Sequence, residues 1–310
     1  MIVSLEEIKT KAYELGWQDV GVTQASIPEI DTTAYKNWVK EKCHASLAYM
    51  EKELRCTPQE FFPGAKSAII FVSYYKQPKQ DFLADKGLIA SYARGKDYHL
   101  IHRKRLKKFI HWLEERAQKQ GIAKGFSDSS PVLEKALAVQ AGLGWFGKNT
   151  LLIHRRYGTF ILLSGVFTSL ELPHTILSTH NPRCGSCTKC LDACPTQALT
   201  SPYKLDAAKC LSYHLIESKQ PIPTDVQEKN PGYIFGCDIC QDACPHNIRK
   251  SNSTSLEFDP KSGNGIYITS KDLEHLKLHP ERLFGTPLQR RGVEGLRYNA
   301  LTLKWQENGL

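Results

Sequence analysis

Along the first half of the chain the apolar positions change period several times. Leu5, Ile8, Ala12 and Leu15 recur at helical spacing; Ser4 and Glu7 form an S-x-x-E capping box ahead of them, and Gly16 stops the run. This predicts a helix over residues 4–16. Residues 17–23 read as a strand and residues 33–42 as a second helix. Residues 67–75 are rich in β-branched and aromatic side chains, the mark of a buried strand. A polar loop, SYARGKDYH, spans 91–99. Beyond it Leu100, Phe109, Ile110 and Leu113 predict a long helix up to Gly121, whose other face carries Arg103, Lys104, Arg105, Lys107 and Lys108. Ser130 is placed to cap a further helix, with Pro131 at its first position and Gly142 at its end. Asp128 then lies in a loop just before a helix N-terminus. Residues 150–154 and 158–167 read as a β-hairpin turning at Arg155, Arg156 and Tyr157.

Periodicity stops at residues 173–182, a polar stretch with a proline at each end that marks a domain boundary. Cysteine spacing takes over. Eight of the ten cysteines lie between Cys184 and Cys244. Cys184, Cys187, Cys190 and Cys194 give C-x2-C-x2-C-x3-C-P, the ferredoxin-type run that holds [4Fe–4S] clusters. Cys237, Cys240 and Cys244 give the same run one ligand short, and Cys210 can supply the missing thiolate. By the crossed arrangement of two-cluster ferredoxins, Cys184, Cys187, Cys190 and Cys244 hold one cluster and Cys194, Cys210, Cys237 and Cys240 the other. Structural zinc is the competing reading, but it needs only separated Cys pairs, not a third in-line Cys and a following Pro. Cys43 and Cys56 lie outside the pattern and read as ordinary thiols. After the cluster module come a polar loop over 251–265, a helix over 270–278 and the basic segment PLQRRGVEGLRYNALTLKW.

Composition narrows the class. The 310 residues exceed one typical domain, and 41% hydrophobic content suffices for a core. The opening MIVSLEEIKTK shows neither a basic-then-apolar leader nor a twin arginine, so a cytoplasmic protein with no membrane contact is expected. The net charge of +9 is unevenly spread: +7 over residues 94–124 and +4 over 282–304. Such stretches suit a polyanionic partner, or simply form solvated helix faces.

Two cubanes alone need about a hundred residues or fewer, so the preceding part is free to hold whatever receives the electrons. Gly142, Gly144 and Gly147 surround Trp145 and allow close backbone approach to a large ligand; tight turns between a helix and a hairpin are the competing reading. Asp128 has a plain reading as a loop capping residue, and His99 as a structural hydrogen bonder. No dinucleotide fingerprint, P-loop or radical-SAM cysteine run is present.

Several stretches taken together resemble the epoxyqueuosine reductase family over nearly the whole chain. They are SYARGKDYH, Asp128 with the SSPVLEKALAVQAGLGWFGKNTLL that follows it, CGSCTKCLDACPTQAL, DAAKCLSY, YIFGCDICQDACPHN and RRGVEGLRYNAL. The resemblance implies reduction of epoxyqueuosine to queuosine at the wobble position of tRNA, with cobalamin and two [4Fe–4S] clusters as cofactors. It implies an α+β fold: a nitroreductase-like cobalamin-binding domain over 1–172, a ferredoxin-like two-cluster domain over 173–250, and a short basic helical segment over 251–310. Asp128 matches the family's proposed proton donor. Tyr98, His99, Trp145, Lys148 and Asn149, with Ser212 and Asp238 beside the second set of cysteines, are the cobalamin-side candidates. Arg103, Lys104, Arg105, Arg290, Arg291 and Arg297 are the tRNA-side candidates. A monomer served by a separate electron donor is expected. The D-x-H-x-x-G corrinoid signature is not met: Asp97, Tyr98 and His99 are followed by Leu100, Ile101 and His102. Some family members carry helical repeats after the basic ending, and none follows here. A reductive dehalogenase acting on small organohalides and a ferredoxin-like or cobalamin-handling carrier are the alternatives.

Overall fold

The computed structural model describes residues 3–174, 183–248 and 250–303. Most of the expected boundary, residues 175–182, lies outside these, as does Lys304. Two compact units are present: unit 1 is Met1–Tyr74 with His99–Cys187, and unit 2 is Tyr75–Tyr98 with Thr188–Leu310. This interleaving differs from the consecutive segments 1–172, 173–250 and 251–310, because the stretch from Tyr75 to Tyr98 supplies a strand to the later unit.

Unit 1 is built on one antiparallel sheet, β1 (Asp19–Gln24), β2 (Ser67–Tyr74), β7 (Ile161–Thr168) and β4 (Ala123–Ser127), in the order β1-β2-β7-β4. Every residue of β2 is buried, as a central strand covered on both faces requires. Its side chains alternate accordingly. Ile69 and Phe71 join Val20, Val22 and Val166 in a core with Ile8 and Ala12 of α1 (Leu5–Glu14) and Leu106, Phe109 and Leu113 of α4 (Tyr98–Ala117). Ala68, Ile70 and Val72 join Phe167 in a second core with Leu137, Ala138 and Val139 of α5 (Glu134–Gln140). Each fully buried Ile or Phe contributes about 1.5–3 kcal/mol, so these two layers hold the sheet. Two further helices, α2 (Glu29–Lys40) and α3 (Pro58–Phe61), lie between β1 and β2 in the chain. The Ser4–Glu7 capping box forms as the sequence predicts.

Four local expectations change. Tyr98 and His99 belong to the first turn of α4 rather than to a loop. The edge strand β4 is hidden in the sequence by Lys124 and Gly125, since only Phe126 of its residues is buried. Ser130 does not cap a helix: its Oγ accepts from the Ser127 N–H at 3.3 Å within a tight turn, and α5 starts later, after Leu133. The strands around Arg155–Tyr157 are not a simple hairpin. The turn closes by two His154–Gly158 backbone hydrogen bonds, but β6 (Leu152–His154) pairs with β5 (Gly144–Phe146), while β7 runs between β2 and β4. The reason is that Val166 and Phe167 of β7 are needed on opposite faces of the main sheet.

Unit 2 has less regular structure. β3 (Lys86–Ile89) lies between β10 (Tyr233–Phe235), parallel to it, and β11 (Tyr267–Thr269), antiparallel. Five short helices accompany the cysteines: α6 (Lys189–Ala193), α7 (Leu211–Ile216), α8 (Thr224–Glu228), α9 (Ile239–Asp242) and α10 (Pro245–Ile248). A ribbon of β8 (Leu199–Ser201) and β9 (Lys204–Leu205) intervenes. The two longer helices come last, α11 (Ser270–Leu278), capped by a Thr269–Asp272 box, and α12 (Gly292–Thr302). Ile89, Ile234, Phe235, Ile268, Leu273, Leu288 and Leu296 make the core. Asn299 of α12 is fully buried within it, its amide donating at 2.9 Å to the carbonyls of both Leu215 and Ile234. Among the described residues no helix is long and apolar enough to cross a membrane.

Candidate metal centre and active site

The cysteines of unit 2 are gathered by short elements. Cys190 is on α6 and Cys240 on α9, and these helices pack together. Cys210 is the residue that starts α7, with the N–H groups of Ser212 and Tyr213 turned to its sulfur. Gly236, at φ +67°, turns the chain from β10 into Cys237; a Cβ there would come within 2.6 Å of Ala90 Cβ. The Ala198 N–H donates to Cys194 Sγ at 3.3 Å. Burial pushes the Cys210 thiol up, with the Cys194 thiol adding to the effect. Burial pushes Cys237 and Cys240 well above the ordinary thiol range; Cys240 also feels Cys210, Cys194 and Cys190. Cys194, Cys210, Cys237 and Cys240 thus lie within electrostatic reach of one another, with Cys190 near Cys240, and a bound metal would favour their thiolate forms. Among the described residues no three donors converge on a single-ion position. The all-thiolate donor set at ferredoxin spacing suits iron–sulfur cubanes.

Beside this group, Asp238 is buried and accepts from the Ser91 N–H at 2.6 Å and the Gln241 side chain at 3.3 Å. Burial raises its pKa, while Ser91 and the buried Arg94 oppose the rise. Asp242 is pushed up to about 6 by burial and by Asp238. Ser212 lies in α7 next to Cys210, and Tyr98 is buried with its ring edge-on to Tyr92 at 6.0 Å. Arg94 and Asn299 escaped sequence reasoning, since nothing in a polar or basic run says which residue turns inward.

In unit 1, Asp128 follows β4 with its side chain 61% exposed, and His99 Nε2 lies 3.3 Å from Asp128 Oδ2. The Glu134 carboxyl is pushed up by burial, with Asp128 adding to the rise. The β5–β6 ribbon carries Trp145 and Asn149, both buried, and Lys148 at its turn. Lys148 Nζ donates to the Gly185 carbonyl at 2.7 Å, and the Arg183 guanidinium lies 5.4 Å over the Trp145 ring. The structure thus joins His99 to Asp128, and Trp145 and Lys148 to the residues flanking Cys184.

The basic candidates divide. Arg103 and Lys104 are exposed on α4. Arg105 is turned inward, donating to Ser73 Oγ at 3.3 Å and lying so close to Gly16 that a Cβ there would meet its Nη2 at 2.8 Å. Arg290 holds Glu217 through three hydrogen bonds of 2.6–3.2 Å. Arg291 donates to the Ser218 carbonyl and, at 2.8 Å, to Asn299. Arg297 pairs with Glu294 at 3.4 Å.

Fold and site together define an α+β protein with a site for two [4Fe–4S] clusters. Residues 183–247 match the family described as a 4Fe-4S double cluster binding domain, and residues 55–129 match the one described as epoxyqueuosine reductase QueG, DUF1730. The epoxyqueuosine reductase of Leadbetterella byssophila is 37% identical over 310 residues, covering 96% of this chain and 98% of that protein. That of Pseudomonas aeruginosa is 35% identical over 93% of this chain and 81% of that protein. The chain belongs to the epoxyqueuosine reductase family. A crystal structure of an epoxyqueuosine reductase with an epoxyqueuosine-modified tRNA-Tyr stem loop matches with a TM-score of 0.84 at 26% identity, covering 98% of this chain and 82% of that one. The Streptococcus thermophilus enzyme matches with a TM-score of 0.84 at 28% identity, covering 96% and 80%.

Proposed function

We propose that this chain reduces epoxyqueuosine to queuosine at the wobble position of tRNA, drawing electrons through its two [4Fe–4S] clusters to a bound cobalamin. The observation that carries the reading is the set of ferredoxin-spaced cysteines gathered by the short helices of unit 2 and matched by the double-cluster family, in a chain that also presents the His99–Asp128 pair. The net reaction takes up two electrons and two protons, turns the epoxide into an alkene and releases water. Cobalamin, when bound, supplies the two-electron reducing power. The unit 1 residues that would hold such a group are Trp145 and Asn149 on the β5–β6 ribbon and His99 beside Asp128.

Asp128 delivers a proton to the departing epoxide oxygen, and His99 holds the carboxyl in place. Protein side chains leave Asp128 largely exposed, so the burial that would keep it protonated near neutral pH comes from the bound ligands. Tyr98, Trp145, Asn149, Ser212 and Asp238 remain cobalamin-side candidates, with Asp238 acting chiefly by fixing Ser91. Arg103 and Lys104 contact tRNA phosphates; Arg290 and Arg291 first hold unit 2 together, while Arg297 pairs along its own helix. The proposal includes a nitroreductase-like character for unit 1, a single copy of the chain, a cytoplasmic location and an external electron donor.

The test is anaerobic turnover by reduced protein loaded with both clusters and cobalamin, on tRNA bearing epoxyqueuosine. Nucleoside mass spectrometry should show loss of one oxygen. Fully loaded protein that leaves the epoxide intact would refute the activity.

A further inference from the structure

The residues on either side of Cys184 are both held by the β5–β6 ribbon. Arg183 lies over the Trp145 ring, and the Gly185 carbonyl takes the hydrogen bond of the Lys148 ammonium. The ribbon is a firm support. Its register pairs Gly144 with His154, Trp145 with Ile153 and Phe146 with Leu152. The turn at its tip is closed by the Gly147 N–H to the Leu151 carbonyl at 2.8 Å and the Thr150 N–H to the Gly147 carbonyl at 2.9 Å. From α5, Lys135 Nζ donates to the Thr150 carbonyl at 3.0 Å. On the other side, the Cys187 N–H donates to the Cys184 carbonyl at 3.0 Å and closes the cysteine loop around Gly185.

We infer that Lys148 is a positioning residue for the first iron–sulfur cluster, fixing the Cys184–Cys187 loop and placing a positive charge at its edge. The inference rests on the two-cluster reading above. It also gives Lys148 a different task from the corrin contact that its sequence neighbourhood suggests. The physical grounds are twofold. A charge-assisted hydrogen bond is about twice as strong as a neutral one, so Lys148 is a strong tie on the Gly185 carbonyl. Cluster potential follows net charge and hydrogen bonding at the cluster. A nearby cation stabilises the reduced form, which carries one more negative charge, and so raises the potential.

The experiment uses the full chain, reconstituted anaerobically, as Lys148→Met and Lys148→Arg. Each is made alone and in a Cys210→Ala background, where the remaining cluster signal is that of the first cluster. Redox titration followed by electron paramagnetic resonance, iron content and spectral titration with cobalamin are the readouts. In Lys148→Met the first-cluster signal should shift to more negative potential, or its iron should be lost, while the second cluster and cobalamin affinity stay unchanged. Lys148→Arg should restore most of the effect. Unchanged potentials and iron in Lys148→Met would overturn the inference. So would equal damage in Met and Arg, or a tenfold weaker cobalamin affinity with both clusters intact, which would put Lys148 on the corrin. Parent protein that takes up fewer than two clusters would refute the two-cluster reading instead, independently of Lys148.

Discussion

Unit 1 keeps its candidate chemistry on a surface that its core does not need. Two apolar layers sandwich the antiparallel sheet, and Asp128 and His99 sit at the ends of β4 and α4 with side chains 61% and 30% exposed. Unit 2 is arranged the other way. Its core is small, its helices are short except for the last two, and its reactive groups are half-buried thiols, with Cys244 buried, and burial raises the pKa values of Cys237 and Cys240. At Asp128 in the first unit, function should be removable without touching the fold; at the cysteines of the second, the same residues should serve both.

The sharpest way to break this contrast is at Cys210. Cys210→Ala should lose one cluster, about four of eight irons per chain, and abolish turnover. It should also lower the melting temperature, because the remaining thiols of that set lose their metal. Cys43→Ala, outside the metal pattern, should do none of this. Full iron in Cys210→Ala would remove it from the ligand set and with it the crossed assignment of the two sets.

Asp128→Asn is the matching change in unit 1. Asn is nearly isosteric and still accepts a hydrogen bond, but it cannot give up a carboxylic proton. Single-turnover rates should fall roughly a hundredfold or more, the scale of losing a general acid. Iron content and melting temperature should stay at the parent values. Stability lost together with activity would return Asp128 to the role of a loop capping residue.

These two changes also separate what was legible in the sequence from what was not. The double-cluster module was readable because metal ligation imposes spacing directly on the chain, and the incomplete second run is what proposes Cys210 as a ligand. Asp128 is proposed only through resemblance to a family, since an Asp before Ser-Ser-Pro looks the same as any capping residue. The fold was legible where one period held, as in α1 and β2. It failed where tertiary demand chose the partner: β7 abandons its hairpin for the central sheet, and His99 joins the helix. The RRGVEGLRYNAL ending was read by its charge, but Arg291 and Asn299 are turned into unit 2.

Asn299 gives a third test, confined to unit 2. Asn299→Ala removes two donors from buried carbonyls and one acceptor from Arg291. Leaving such groups unpaired should cost about 2–4 kcal/mol, read as a melting temperature lower by roughly 5–15 °C. Arg291→Glu should be comparably destabilising, whereas Arg103→Glu should leave stability alone and weaken tRNA binding, lowering its salt dependence by about one phosphate contact. If Arg291→Glu melted normally and lost tRNA affinity, the ending would be an interface rather than a brace.

The smallest effect expected belongs to Glu7. The Ser4 backbone N–H and hydroxyl, and then Arg116, hold its carboxyl down at about 2. Arg116 donates to it at 2.7 Å, tying α4 to the start of α1. A carboxyl whose pKa is lower in the folded state stabilises the fold above its unfolded value, near about 4.3, and loses that stabilisation as pH falls towards about 2. The group is exposed and solvent screens it, so the effect on melting should be slight at neutral pH. Glu7→Gln should melt slightly below the parent at about pH 7, and the two melting curves should converge between about pH 4.5 and 2. Because the contact is wholly within unit 1, the same convergence should appear after iron is chelated from the cysteines. Convergence that vanished with the iron would mean that unit 1 draws its stability from the clusters after all, and the contrast between the two units would fall.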